Sequence, residues 1–300
     1  MDDFEKQTRK VFHQIHKMQG ENDSIFFRVV RQLTTDYLKV EKNFFEGKVC
    51  LDAGCGSNAN ATFSMLEMGA KKVYAIDLDE SVLQVAPKRL KEFDGRYEIN
   101  FGSILDLKYD DKYFDFTHCS GVLQHTKGFF QGIKELSRVT KVGGIIYLNT
   151  FGIGGLVREL TNFFREKYQR ENGIFNYFID NLSPDQIIDF IQWLISNMGK
   201  NGDEFGKKLD LNMLKELIDL DLVLTIKDRI TAPSYYEISE GDIRRFLESN
   251  GFGNVTRLTR YPRLKNVRRF LAPLYSDFES QYARFFYGSG NIQIKAQKLK

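Results

Sequence analysis

The sequence predicts an α/β fold, a doubly wound and mostly parallel sheet of seven strands with an inserted helical lid, and three observations carry that prediction. The first is the stretch Lys48-Val49-Cys50-Leu51-Asp52-Ala53-Gly54-Cys55-Gly56-Ser57-Asn58. A short apolar run reaches a carboxylate and breaks at two glycines one residue apart, which reads as a buried strand ending in a tight turn that opens a helix. The second is rhythm: strand-like and helix-like segments alternate from there to Thr150, as they do in parallel sheets covered on both faces. The third is Asp77, which ends the next apolar run about 20 positions after the glycines, at the sheet edge where such folds meet a ligand.

The elements follow in order. Phe4 to Leu38 alternates charged residues with Val11, Phe12, Ile15, Phe26, Val29 and Leu33, a spacing that fits amphipathic helices. Residues 1–40 are therefore read as a helical cap packed on the body, with a lid as the functional alternative and Arg28 as the residue that would then face a substrate. Ala61 to Met68 is a helix ended by Gly69, Lys72 to Asp77 a second strand, Glu80 to Phe93 a helix, and Tyr97 to Phe101 a third strand. Phe114 to Cys119 is a fourth strand and Phe129 to Val139 a helix; after the Gly143-Gly144 turn, Ile145 to Asn149 is a fifth strand.

The alternation then stops. Residues 153–230 read as a helical insertion, a substrate lid or dimer surface if it is not a core of its own; Leu222 to Ile226 is its one strand-like run. Ser183-Pro184-Asp185-Gln186 supplies an N-cap, a proline at the first helical position and a capping-box glutamine. A second capping signal, Ser239-Glu240-Gly241-Asp242, opens a helix that Gly251 stops. Val255 to Leu258 and Ile292 to Ala296 are expected to pair antiparallel at a sheet edge, so 41–152 and 231–300 together make the core domain.

Composition sets outer bounds. The chain has 300 residues and a formal charge of +3 with both signs mixed, so composition gives no argument for a nucleic-acid or membrane partner. Met1 to Gly20 is charged throughout, and no run approaches a membrane-spanning length, so a cytoplasmic protein is expected. Cys50, Cys55 and Cys119 are too few and too irregularly spaced for a disulfide framework or a zinc site.

Gly54-Cys55-Gly56-Ser57-Asn58-Ala59 formally satisfies the dinucleotide fingerprint, so an NAD(P)-dependent oxidoreductase has to be weighed. Asp52 argues against it, because a carboxylate two residues before the first glycine would repel a pyrophosphate. A cationic ligand reverses that sign: S-adenosylmethionine carries a sulfonium and an α-amino group, and its own carboxylate can accept from backbone N–H groups at the helix start. Asp77 is then placed to take both ribose hydroxyls.

With these residues in hand, the chain resembles the class I S-adenosylmethionine-dependent methyltransferases, of the small-molecule group that includes the ubiquinone and menaquinone methyltransferases. Leu51-Asp52-Ala53-Gly54-Cys55-Gly56 matches the first motif of that family, Asp77 its ribose-holding acid and Leu78 the apolar residue on adenine. Phe101-Gly102-Ser103-Ile104 matches the adenine-edge loop, and Phe114 through Ser120 to His125 the fourth motif. The resemblance implies a Rossmann-like fold and S-adenosylmethionine held by Asp52, Gly54, Cys55, Gly56, Asp77, Leu78, Ser103, Ile104 and Ser120. One departure is Ser103, where the family often has an aspartate that accepts from the adenine amino group.

Methyl transfer from a sulfonium is an in-line displacement, so the protein mainly supplies alignment; a hydroxyl or carbon acceptor also profits from a base. His125, just beyond the fourth strand, is the candidate base, while His118 on that strand reads as structural. Tyr235 and Tyr236 are candidates for the acceptor pocket, with core cover as the alternative. Arg257, Arg260, Arg263, Lys265, Arg268 and Arg269, with Tyr261 and Phe270 among them, form a basic cluster. An RNA-binding methyltransferase would use it; the low net charge favours a solvated face. The expectation is a small-molecule methyltransferase, with a homodimer through the insertion as an open alternative and no metal.

Overall fold

The structure is a computed structural model and describes residues 2–20, 23, 26, 33–170, 173–200, 220–259 and 281–300. Its strands are β1 (Val49–Ala53), β2 (Lys72–Asp77), β3 (Tyr97–Phe101), β4 (Phe114–Ser120), β5 (Thr140–Phe151), β6 (Phe252–Arg257) and β7 (Asn291–Lys298). Its helices are α1 (Asp3–Gly20), α2 (Thr35–Leu38), α3 (Asn60–Glu67), α4 (Val82–Arg89), α5 (Phe129–Val139), α6 (Leu156–Arg170), α7 (Ile174–Asp180), α8 (Pro184–Lys200), α9 (Leu220–Thr231), α10 (Glu240–Ser249) and α11 (Gln281–Tyr287).

The strands form one seven-stranded sheet in the order β3-β2-β1-β4-β5-β7-β6. β1 to β5 pair in parallel, and β7 runs antiparallel between β5 and β6. The chain winds outward from β1 to β3 and then restarts at β4 on the other side of β1. That reversal leaves a crevice at the carboxyl ends of β1 and β4, where open α/β sheets take ligands.

β1 reads as a continuous apolar run because it is covered on both faces. Cys50 faces the side packed by Met65 and Leu66 of α3 and Val82 and Ala86 of α4, whereas Leu51 and Ala53 face Ile133 and Leu136 of α5. Alternation along the strand thus assigns its neighbours to two cores. Both predicted caps form: Ser183 Oγ accepts from Gln186 N–H at 3.2 Å and Ser239 Oγ from Asp242 N–H at 3.1 Å.

Three elements differ from expectation. β5 begins at Thr140, so the Gly143-Gly144 segment expected as a turn before it lies within the strand, at a register irregularity against β4. Leu222 to Ile226 is not a strand but the middle of the 12-residue α9, with Val223 fully buried. A short apolar run fits either state by periodicity, and here length decides, since the helix continues to Thr231. The helix expected over Glu80 to Phe93 stops at Arg89 and finishes as a 3₁₀ turn, Lys91–Phe93. Among the described residues, no helix is long and apolar enough to cross a membrane.

The insertion is tied to the sheet by two buried arginines of α6. Arg158 binds the Tyr235 hydroxyl and donates to Asn291 Oδ1 at 3.1 Å, with its guanidinium 4.5 Å over the Phe151 ring. Arg165 donates to the carbonyls of Arg229 (2.6 Å) and Ile230 (3.3 Å), placing a cation on the carboxyl end of α9. The entry to α6 is equally tight. Gly155 has φ +89°, and a Cβ there would lie 2.2 Å from the Gly288 nitrogen. Gly155→Ala is expected to destabilise the fold by about 1–3 kcal/mol or more, read as a lower urea midpoint at unchanged m-value.

Candidate active site

The turn after β1 is closed onto β2. The N–H groups of Gly54 and Cys55 donate to the Ile76 carbonyl at 2.8 and 3.2 Å, and Gly56 N–H donates to Asp77 Oδ2 at 2.9 Å. A Cβ on Gly54, at φ +83°, would meet Val122 Cγ2 at 2.1 Å, so only glycine allows this approach of β1 and β4. These N–H groups are spent inside the protein, so they do not face a ligand carboxylate as the sequence suggested.

Asp52 lies beneath the turn rather than in it. Its carboxylate is 1% exposed; Oδ2 accepts from Thr62 N–H (3.0 Å) and Thr62 Oγ1 (2.8 Å), and Oδ1 lies 2.9 Å from His118 Nδ1. The His118 ring stacks on Tyr147 with centroids 5.0 Å apart. The structure therefore gives Asp52 the start of α3 and the end of β4 as its partners, a positioning geometry, and Asp52 does not border the cavity above the turn.

Above the turn is a cavity of about 280 Å³. Of the residues singled out by sequence, Gly54, Cys55, Gly56, Asp77, Leu78, Ser103, Ile104, Ser120 and His125 border it. Tyr235 and Tyr236 do not: the first packs on Phe151, the second on Phe129. Arg28 falls outside the described residues, as do Arg260 and the rest of the basic cluster except Arg257. Arg257 pairs with Glu240 at 2.6 Å. Cys50, Cys55 and Cys119 are unbonded and buried, and burial pushes each thiol well above its ordinary pKa.

The roof is α1. Phe4, Glu5, Thr8, Arg9, Phe12, Ile15 and His16 border the cavity, a set spaced three and four residues apart along one helix face. Asp79, just past β2, anchors α1: Asp79 Oδ2 lies 3.1 Å from His16 Nδ1 and Oδ1 3.1 Å from His13 Nδ1. Burial alone would lower the His16 pKa, but the hydrogen bond to Asp79 and the charges of Asp77 and Asp79 outweigh it and raise the value. Burial would likewise raise Asp79, yet hydrogen bonds from His16, Ser81 and His13 hold its carboxyl far below the usual range.

Four buried polar atoms around the cavity have no hydrogen-bond partner: Thr8 Oγ1, Asn60 Oδ1, His125 Nε2 and Asp228 Oδ1. The His125 ring is held, since Nδ1 donates to the Ser234 carbonyl at 2.9 Å and the ring lies 4.9 Å from Phe12. Its Nε2 is 3.1 Å from Asp228 Oδ1, an ion-pair distance whose angle leaves both atoms without a hydrogen bond. Sequence reasoning missed Glu5, Thr8, His16, Asn60 and Asp228. The spacing on α1 was readable as an amphipathic face, but that pattern does not tell a core from a cavity roof; Asp228 carries no local signal at all.

Comparison with known proteins follows this geometry. Residues 51–148, from β1 to β5, match the family described as Methyltransferase domain. The demethylmenaquinone methyltransferase of Bacillus velezensis is 28% identical over 152 residues, 49% of this chain and 64% of that protein. That of Bacillus subtilis is 27% identical over 155 residues, 50% of this chain and 65% of that protein. The chain thus spans just under two thirds of the length of these relatives. A chain of the complex between the Haloferax volcanii Trm112 methyltransferase activator and a methyltransferase shares the fold, with 12% identity, a TM-score of 0.53 and 98% of each chain covered. The domain match falls on the strands and turns that build the cavity floor: residues 51–148 match a methyltransferase domain, and about half of the chain is similar to the demethylmenaquinone methyltransferases.

Proposed function

We propose that the chain transfers a methyl group from S-adenosylmethionine to a small molecule held in this cavity. The observation that carries the reading is a set of four buried polar atoms that, among the described residues, lack a hydrogen bond, on Thr8, Asn60 and the facing pair His125 and Asp228, and that converge on one cavity. Each such atom costs about 1–3 kcal/mol when left unmade, so their convergence is a binding demand.

The residues fit the cofactor. Asp77 accepts from Gly56 and Asp79 N–H groups, which leaves lone pairs on its carboxylate for two adjacent hydroxyls. Leu78, Ile104 and Leu105 offer an apolar slot for a purine, and Asn60 Oδ1 an acceptor for an amino group. When bound, S-adenosylmethionine supplies an electrophilic methyl group on a sulfonium. Asp52 serves by fixing the turn and α3, and α1 excludes water from above.

His125 is the base of this proposal. The Ser234 carbonyl can only accept, so Nδ1 carries a proton, and in a neutral ring the lone pair on Nε2 then sits at the cavity. Asp228 Oδ1, 3.1 Å from Nε2, stands ready to pair with the ring once Nε2 takes a proton. An acceptor hydroxyl would give its proton to Nε2. The Phe12 ring beside His125 suits a flat acceptor, in keeping with the quinone in the name of the demethylmenaquinone relatives.

Three outcomes are expected. S-adenosylhomocysteine should bind by calorimetry, and Asp77→Ala should weaken it about 100-fold; binding of NAD(H) with none of S-adenosylhomocysteine would sink the reading. His125→Ala should lower the turnover measured as S-adenosylhomocysteine release from pooled metabolites by about 10²–10⁴-fold while cofactor affinity stays within about threefold; equal loss of both would remove His125 from the chemistry. The third concerns α1. Because the His16 pKa is raised, the stabilisation from its charged form is complete below about pH 6.5 and is lost as pH rises through the raised value. Asp79, being depressed, contributes above its ordinary value of about 4 and loses that only in strong acid. Arg9 of the same helix faces Glu80 at 3.0 Å. Amide exchange in α1, corrected for intrinsic rates, should therefore quicken from pH 6 to pH 8.5, and His16→Ala should flatten that dependence.

A further inference from the structure

We propose that Glu5 of α1, steadied by Ser103, reads the amino edge of the cofactor's purine, so that the roof helix takes part in choosing the cofactor and does not merely cover it. The proposal rests on the methyltransferase reading above and adds a residue to it. At the β3 end of the cavity, Leu78, Ile104 and Leu105 form apolar walls, and the polar groups beside them are Ser103 and Glu5. Ser103 Oγ donates to Glu5 Oε1 at 2.7 Å and itself accepts from Leu105 N–H at 3.2 Å. The hydroxyl is thereby oriented with its proton on Glu5, and its own accepting capacity is partly used.

Glu5 is held from the other side by the start of its own helix. Glu5 N–H donates to Asp2 Oδ1 at 2.9 Å, and Asp2 N–H reaches Glu5 Oε2 at 3.3 Å, the reciprocal arrangement of a capping box. Arg9 and Lys127, the nearby cations that also border the cavity, are engaged by Glu80 and Asp2. A carboxylate offers about four lone-pair positions, and these contacts occupy one on each oxygen. What remains is a fixed, negatively charged acceptor at the rim of a flat apolar slot. It attracts an exocyclic amine, which donates, and repels a ring carbonyl at the same position, which can only accept. Position 103 carries a neutral hydroxyl, so the charge that selects the amine comes from another element, 98 residues away in sequence.

The test compares S-adenosylhomocysteine with S-inosylhomocysteine, which carries a ring carbonyl in place of the amine and an N1–H in place of the N1 lone pair, using calorimetry on the full chain. The wild-type protein is expected to prefer the adenosyl compound by about 100-fold or more. E5Q, which can turn an amide N–H toward the carbonyl, should cut that preference by about tenfold or more, chiefly by binding the inosyl compound better. S103A should cut it less, by freeing the Glu5 side chain. Asp77→Ala should weaken both compounds alike and leave the ratio unchanged. An unchanged ratio in E5Q, or equal loss of both compounds in a variant with wild-type circular dichroism, overturns the role of Glu5 and leaves the methyltransferase reading standing. Failure of the wild-type protein to bind either compound overturns that reading and this inference with it.

Discussion

The buried carboxylate of Asp52 is the constraint on which the rest depends. It is removed from water at the end of β1, where a charge is tolerated only if its oxygens are met, and Thr62 and His118 meet them. Those contacts fix three things at once: the end of β1, the first turn of α3 and the end of β4. The glycine turn between β1 and α3 is thereby stretched over a rigid base. Its own N–H groups close onto Ile76 and Asp77 of β2, so the floor of the cavity is set before any ligand arrives.

The roof is built on a different principle. The floor comes from consecutive β-strand ends, but α1 and α9 reach the cavity from opposite ends of the chain's helical additions. α1 is held by the Asp79 carboxylate through two histidines, and α9 by Arg165 on its terminal carbonyls. The insertion thus delivers Asp228 to His125 because two buried arginines of α6 lock it to the sheet. Floor and roof are thus held by different means, the floor by strand pairing and the roof by side-chain contacts of Asp79 and Arg165.

The roof also bears on specificity. Family motifs lie on the floor, where the domain match from residue 51 to 148 ends. Glu5 of α1, Asp228 of α9 and the Ser234 carbonyl, which meet Ser103 and His125, all lie outside that match. A change in cap or insertion can therefore alter what is bound without altering the displacement geometry below it.

The sequence by itself determined the sheet, the turn and most of the floor. Alternation and capping are local, and a glycine needed at positive φ or a carboxylate at a strand end leaves a mark within ten residues. Asp77 is legible on those grounds, His125 from its place just beyond β4, and Leu78 and Ser103 only through the family resemblance; all four border the cavity. Tyr235 and Tyr236 were read from proximity to the late helix and turn instead to Phe151 and Phe129. Only the tertiary structure could decide that Asp52 points beneath the turn, that the amphipathic face of α1 roofs a cavity, and that Asp228 and Glu5 meet His125 and Ser103. An amphipathic pattern records that a face is covered, not by what, and a contact between residues 98 positions apart is set by how helices dock on the sheet.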